Sequence, residues 1–423
     1  MQNDPEEAVP PAPQGGRGSA AEVLGAFLKL GLTSFGGPVA HLGYFRSEFV
    51  ERRRWLDDRR YSDLVALCQF LPGPASSQAG MALGLGRAGW PGALAAWIGF
   101  TLPSAVALIL FAFGIAHWAG LAQSGVVHGL KVMAVAVVAQ AVWGMAKSLC
   151  PDRLRGGIAI AAALLCIVLA SSLGQMAAIV LGGLLGWRLL PLSPAAPAAP
   201  PDGRTGRTTG ALLLGLFALL LVGLPALAAL SGSLLLSAVA ACYQAGSLVF
   251  GGGHVVLPLL QASVVPPGWV GNEAFLAGYG AAQAVPGPLF TFAAFLGAAM
   301  PAPAGGWLGG LALLLAIFLP SFLLVAGTLP YWESLRRLAG VQRAMGGINA
   351  AVVGILGAAL HDPVWTSAIH TNADFALALA AYGLLVFGRL SPVFVVALAA
   401  LAGGLLAGCP PPPLHRRREN PAA

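Results

Sequence analysis

Apolar residues run through this chain in long blocks separated by short polar loops, a pattern of buried or membrane-embedded helices and not of amphipathic surface ones. From Ala21 an apolar stretch reaches Phe45, interrupted at Phe35-Gly36-Gly37-Pro38, and the charged loop Arg46–Arg60 follows. A second stretch, Tyr61–Gly86, contains Pro72-Gly73-Pro74. Trp90–Trp118 and Gly125–Leu149 are each long enough to span a bilayer, which takes about 20 residues. Ile158–Trp187 dips at Ser171-Ser172-Leu173-Gly174 and reads as two short helices in a hairpin. A Pro/Ala/Ser-rich linker over residues 191–210 follows, then one further apolar span over 211–231.

The pattern then restarts. Gln69-Phe70-Leu71-Pro72-Gly73-Pro74 is answered by Gln283-Ala284-Val285-Pro286-Gly287-Pro288, and Phe35-Gly36-Gly37-Pro38 by Phe250-Gly251-Gly252-Gly253. Trp55 precedes Gln69 by the interval at which Trp269 precedes Gln283. Gly89-Trp90 and Gly306-Trp307 each lead to a Leu-Pro-Ser, ending at Ser104 and Ser321. We therefore divide the chain into a disordered arm (1–20), a first repeat (21–190), the linker (191–210), an unpaired connecting helix (211–231), a second repeat (232–408) and a tail (409–423).

Charge gives the orientation of the two copies. Arg46, Arg52, Arg53, Arg54, Arg59 and Arg60 fill the first loop, whereas its counterpart Gln261–Glu273 has no Lys or Arg. Arg336, Arg337 and Arg343 fill a later loop of the second repeat, and the matching His117–His128 has none. Basic loops favour the cytoplasm, so equivalent loops lie on opposite faces and the repeats are inverted. Parity then requires Tyr61–Gly86 to enter and leave on one side, as a re-entrant hairpin. The fold class expected is all-α: a polytopic helical membrane protein with two inverted repeats and broken helices.

Composition agrees, with 57% hydrophobic and 9% charged residues. The net charge of +7 belongs to a few loops and forms no aromatic-interleaved groove for nucleic acid. Cys68, Cys150, Cys166, Cys242 and Cys409 are widely spaced, without disulfide or metal-ligand patterns. The arm lacks the charged and apolar regions of a cleavable signal. No His-Glu-x-x-His, Gly-x-Ser-x-Gly or P-loop is present, so neither an enzyme nor an ATP-driven pump is indicated, and no cofactor or metal is expected.

Proline cannot continue a helix, and backbone groups left unpaired in hydrocarbon cost several kcal/mol unless protein or a polar cavity meets them. Paired breaks in two repeats therefore point to a solute site. A helix restarting after a break presents free N–H groups and partial positive charge, which suit an anion. Ser76, Ser77 and Gln78 follow Pro74, Thr291 follows Pro288, and Gln69 and Gln283 supply amides before each break. Gly36, Gly37 and Gly251, Gly252, Gly253 allow close approach either to a ligand or to a neighbouring helix. His254 offers a donor or an ordinary packed imidazole. Lys29 and Lys131, the latter matched by Asn349, are basic or polar positions in apolar runs, serving the solute or snorkelling to the interface.

These motifs, over nearly all of Ala21–Gly408, resemble the chromate ion transporter family in its long, two-domain form. The resemblance implies an inner-membrane carrier that expels chromate, with sulfate a further substrate, at the expense of membrane potential or a proton gradient, and so confers chromate resistance. It implies site residues at Phe35, Gly36, Gly37, Pro38, Gln69, Pro72, Gly73, Pro74 and Gln78, and at Phe250–Gly253, Gln283, Pro286, Gly287 and Pro288. A sulfate importer and a passive anion channel are the competing readings on the same architecture. Ser263-Val264-Val265-Pro266-Pro267 replaces the charged residues usual in the second loop, and Glu48, Asp63 and Glu273 are candidates for proton coupling. Partners expected are the lipid bilayer, a small oxyanion and, given the glycine-rich helices, a second copy in a homodimer.

Overall fold

A computed structural model describes residues 18–35, 37–117, 125–169, 172–191, 206–250, 255–335 and 338–407. Most of the N-terminal arm, most of the linker and the C-terminal tail fall outside the described residues, as do Gly36, Gly251, Gly252, Gly253 and His254. All regular structure among the described residues is helical.

The first repeat opens with α1 (Ala20–Thr33), capped by the Ser19 hydroxyl on the Glu22 N–H at 3.1 Å. The chain turns at Ser34–Phe35 and comes back as α2 (Gly37–Phe45), continued by a π-helical segment, Arg46–Arg52. Phe27 packs on Phe45 and Phe49, closing α1 against this returning limb. Next, α3 (Asp58–Phe70) runs into the protein and α4 (Ala75–His117) runs out, bending at Ala88–Gly89, where backbone angles leave the helical range. Arg87 pairs with Glu22 at 3.1 Å, Trp55 Nε1 donates to Glu22 at 3.2 Å, and the Gly18 N–H reaches the Arg87 carbonyl. The start of α1, the basic loop and the exit from the first limb of α4 thus share one face. Both opening hairpins dip in and return to it, as the sequence requires of Tyr61–Gly86.

The second limb of α4 then crosses, α5 (Gly125–Leu149) crosses back, and α6 (Arg153–Val168) and α7 (Ser172–Leu189) form a hairpin. The connecting helix α8 (Arg207–Ser231) lies on the perimeter against α9 and α13, with Leu212, Leu219, Val222 and Leu230 exposed as lipid requires. The second repeat comprises α9 (Leu234–Leu248), α10 (Val256–Val264), α11 (Asn272–Ala284), a 3₁₀ turn at Leu289–Thr291, α12 (Phe292–Ala299) and α13 (Gly306–Thr328). It ends with α14 (Trp332–Leu335), α15 (Ala339–Ala359), α16 (Thr366–Ala368), α17 (Asn372–Val386) and α18 (Pro392–Ala407).

The two copies are inverted. Equivalent helices α4 and α13 run antiparallel, Trp90 meeting Phe322 and Phe113 meeting Trp307, each at 5.8 Å between centroids. The far end of α13 returns to the basic face, where the Tyr331 hydroxyl donates to the Arg207 carbonyl at 2.6 Å. Terminal hairpins are exchanged: α6 and α7 of the first repeat pack on α15 of the second, while α17 and α18 pack on α5. Five helical stretches among the described residues are long and apolar enough to cross a bilayer, and the chain is a multi-pass membrane protein.

Candidate functional site

Each proline-glycine-proline break turns inside the molecule, and each is held by the other repeat. At the first, α3 stops at Phe70 and α4 starts at Ala75. The Gly73 N–H donates to the Val249 carbonyl at 2.6 Å, at the end of α9. At the second, α11 stops at Ala284, and the Gly287 N–H donates to the Ser34 carbonyl at 2.9 Å, at the end of α1. Both glycines hold positive φ, +121° and +106°, a conformation that L side chains rarely take.

The Leu-Pro-Ser motifs complete the exchange. A Cβ on Gly73 would strike Ser321 Oγ of α13, and one on Gly287 would meet Ser104 Oγ of α4 at 2.9 Å. Each serine thus faces the break of the opposite repeat. These serines are legible as a repeated motif, but only the exchange puts them beside the breaks.

Buried polar side chains gather at both breaks. Ser34, His41, Ser76, Ser77, Gln78, Thr101, Ser104 and Ser321 are all at least 97% buried. Gln78 Nε2 donates to the Pro72 carbonyl at 2.7 Å, fixing the turn, and Ser104 donates to the Thr101 carbonyl at 3.0 Å. Yet Ser34 Oγ, His41 Nε2, Ser77 Oγ, Gln78 Oε1, Thr101 Oγ1 and Ser321 Oγ make no hydrogen bond within the chain. An unsatisfied buried polar atom costs about 1–3 kcal/mol, so six of them on the elements that meet at the two breaks describe a binding surface and not a packed core. The free N–H groups of Ala75, Ser76 and Ser77 at the start of α4 supply donors of the same kind.

The helix start after the second break is drier. Thr291 Oγ1 is already used on the Pro288 carbonyl at 2.8 Å, and Phe290 and Phe292 stand where the first repeat has Ser76 and Gln78. Gln283 Nε2 is buried without a partner, whereas Gln69 is exposed.

The basic candidates lie elsewhere. Lys29 is 54% exposed and pairs with Glu48 at 3.6 Å. Glu48 is the hub of the basic face, accepting from Arg53 at 2.7 Å and Arg52 at 2.9 Å. Its burial works to raise the carboxyl pKa, but those hydrogen bonds and the Lys29 charge prevail and hold it below the ordinary value. Lys131 pairs with Glu273 at 3.6 Å, at the end of α11 remote from its break. Asn349 sits on α15 between Ile348 and Ala350, in the layer against α6 and α7, with Oδ1 unbonded. Among the described residues no group of His, Cys, Asp and Glu could hold a metal.

Inverted repeats whose broken helices interlock inside a multi-pass helical protein define the architecture of a membrane transporter. The chain belongs to the chromate transporter family, whose model matches residues 21–187 and again 236–404. It is 30% identical to the chromate transport protein of Pseudomonas aeruginosa over 95% of this chain and 94% of that one. It is 27% identical to the chromate transport protein of Cupriavidus metallidurans, over 89% and 90%, and 26% identical to a probable chromate transport protein of Synechococcus elongatus, over 89% and 93%. No solved structure matches the chain.

Proposed function

We propose that this protein is a secondary carrier that exports chromate across the inner membrane, driven by membrane potential or the proton gradient, and so confers chromate resistance. The observation that carries the reading is the group of buried, unbonded hydroxyls and the His41 imidazole on the elements that meet at the two mutually braced breaks, beside the free amides at the start of α4. A tetrahedral dianion offers four acceptor oxygens and needs many donors at short range with no fixed carboxylate opposing it. Hydroxyls, an imidazole and helix-start amides meet that requirement without a buried cation. In this reading Pro72, Gly73, Pro74, Ser76, Ser77 and Gln78 shape the site, and Pro286, Gly287 and Pro288 brace it from the other repeat. Inside-negative voltage favours outward movement of the dianion, which matches a resistance role. Sulfate, with the same geometry and charge, fits the same donors.

The test is chromate and sulfate flux in proteoliposomes containing the purified protein, with voltage and pH gradients imposed separately. Export requires flux that follows the imposed gradient and accumulates chromate against its own. Flux that follows voltage but neither saturates with chromate nor is accelerated by chromate on the far side would instead identify a passive channel, and absence of chromate flux would sink the proposal.

A further inference from the structure

His41 stands where the two breaks meet. It lies on α2, is 99% buried, and is brought against α4 only because the first hairpin folds back on itself. Its Nδ1 is 3.4 Å from Ser76 Oγ, in the first turn of α4 after Pro74. Its ring meets Phe100 edge-on at 5.2 Å, and the Phe100 carbonyl borders Gly287. The Ser34 carbonyl, which accepts the Gly287 N–H, lies beside the ring. Nε2 makes no hydrogen bond. One imidazole therefore touches the helix start of the first break and the backbone that anchors the second.

We propose that His41 is the coupling residue of the carrier: it takes up a proton when the oxyanion binds and gives it back when the oxyanion leaves. The inference rests on the anion-carrier reading and adds the coupled ion and the group that bears it.

The argument is electrostatic. An imidazolium in this setting needs a counter-charge, and among the described residues the neighbouring elements supply none that is uncommitted, Asp63 of α3 being itself engaged. On α1, Glu22 is paired with Arg87 and Lys29 with Glu48. On the π-helical segment, Glu48 is taken by Arg52 and Arg53, and Arg46 by Glu51 and Asp58. Tyr44, on the same helix as His41, is exposed. Tyr61 of α3 donates to the Leu42 carbonyl. Gly306–Thr328 of α13 contains no titratable side chain. A dianion seated on Ser76, Ser77 and Ser321 would be the missing charge. Binding then draws one proton from bulk water onto the imidazole, the two charges stabilise each other, and release reverses both steps. The translocated unit then carries one net negative charge in place of two, so in this form inside-negative voltage, and not the proton gradient, drives export.

Position 256, the second-repeat counterpart of His41, is Val256, so the inference assigns one proton site per chain.

Proton uptake on binding distinguishes this from an anion site alone. Purified protein in weakly buffered detergent solution near neutral pH is titrated with sulfate, which does not itself buffer there, and with chromate corrected for its own protonation. Binding is followed by tryptophan fluorescence and protons by a pH dye. About one proton is expected per oxyanion bound, and the apparent affinity should weaken by up to about tenfold per pH unit on the alkaline side. His41→Gln, and as a second variant His41→Asn, should bind more weakly with no proton uptake and a flat pH profile. Binding without uptake by the wild type would overturn the assignment while leaving the anion site intact, as would uptake that persists in both variants. Absence of binding of either oxyanion would overturn the anion site and this assignment with it.

Discussion

At the scale of single residues, the two break glycines carry the most information. Gly73 and Gly287 combine positive φ with contacts that leave no room for a Cβ, because Ser321 and Gln78 crowd one and Ser104 the other. Alanine at either position forces the turn to rotate, drawing its N–H from the Val249 or Ser34 carbonyl, at a strain of about 1–3 kcal/mol. We expect Gly73→Ala and Gly287→Ala each to lower chromate flux at least about tenfold, whereas Gly25→Ala, in open space on α1, should leave it intact. Equal flux in all three would remove the turns from the mechanism.

Glu48 supports a second prediction at this scale, on pH. Its carboxyl is held below the ordinary range in the folded protein. It therefore contributes stability above its unfolded-state pKa, and that contribution is lost as pH falls through the folded-state value. Thermal unfolding in detergent should show Glu48→Gln less stable than wild type at neutral pH, by about 1.5–3 kcal/mol for the charged hydrogen bonds lost. The two should converge in acid, and parallel curves would contradict the linkage. The breaks themselves were legible because proline and glycine announce themselves inside apolar runs. His41 was not, since a lone histidine has no periodic signal and gains its setting only from the fold-back of α2. The partners of Lys29 and Lys131, Glu48 and Glu273, are likewise set by which helices meet.

At the scale of elements, re-entrance of Tyr61–Gly86 could be argued from loop charge and parity, and the α6–α7 hairpin from the dip at Ser171. The first hairpin was visible only as an interrupted run: Phe35-Gly36-Gly37-Pro38 marks a break, but whether the chain continues or turns back depends on Phe27, Phe45 and Phe49 closing on one another. The equivalent helices α3 and α11 also differ in a way their sequences do not announce. Phe275 through Ala282 of α11 is buried, packed by α5, α18, α12 and α4, whereas α3 leaves Ser62, Ala66 and Gln69 exposed beside α4 and the π-helical segment. A membrane-impermeant maleimide applied from the basic face should therefore modify Ser62→Cys and Gln69→Cys readily and spare Ala281→Cys, read as mass shift or gel mobility. Modification of Ala281→Cys as fast as the other two would show that the difference between the helices is absent in the membrane.

For the whole molecule, that difference has a mechanical meaning, because inverted repeats can exchange conformations and so alternate which face is open. On the face opposite the basic one, the repeats are tied together: Lys131 to Glu273, and His128 to Asp374 at 2.6 Å, with α11 seated between α5 and α18. The counterpart seat for α3, against α15 and α7, is held by α10 instead, Gln175 of α7 donating to the Pro258 carbonyl at 3.3 Å, while α3 packs on α4 and the π-helical segment. If the copies exchange roles during transport, α3 must come to rest on α15 as α11 now rests on α5. The register follows from the repeat. Gly280 of α11 now lies against Leu130 of α5; the matched glutamines make Ala66 the counterpart of Gly280, and the match of Lys131 with Asn349 makes Ile348 the counterpart of Leu130. Cysteines at Ala66 and Ile348, in a background cleared of the native cysteines, should therefore cross-link during turnover and halt chromate flux, with reduction restoring it. The linear motifs carry the duplication and its inversion, yet they are silent on the exchange of terminal hairpins that creates both seats, because identical repeats could pack within themselves or across. A pair that never cross-links under turnover, while flux proceeds, would mean that the carrier works without exchanging the two conformations.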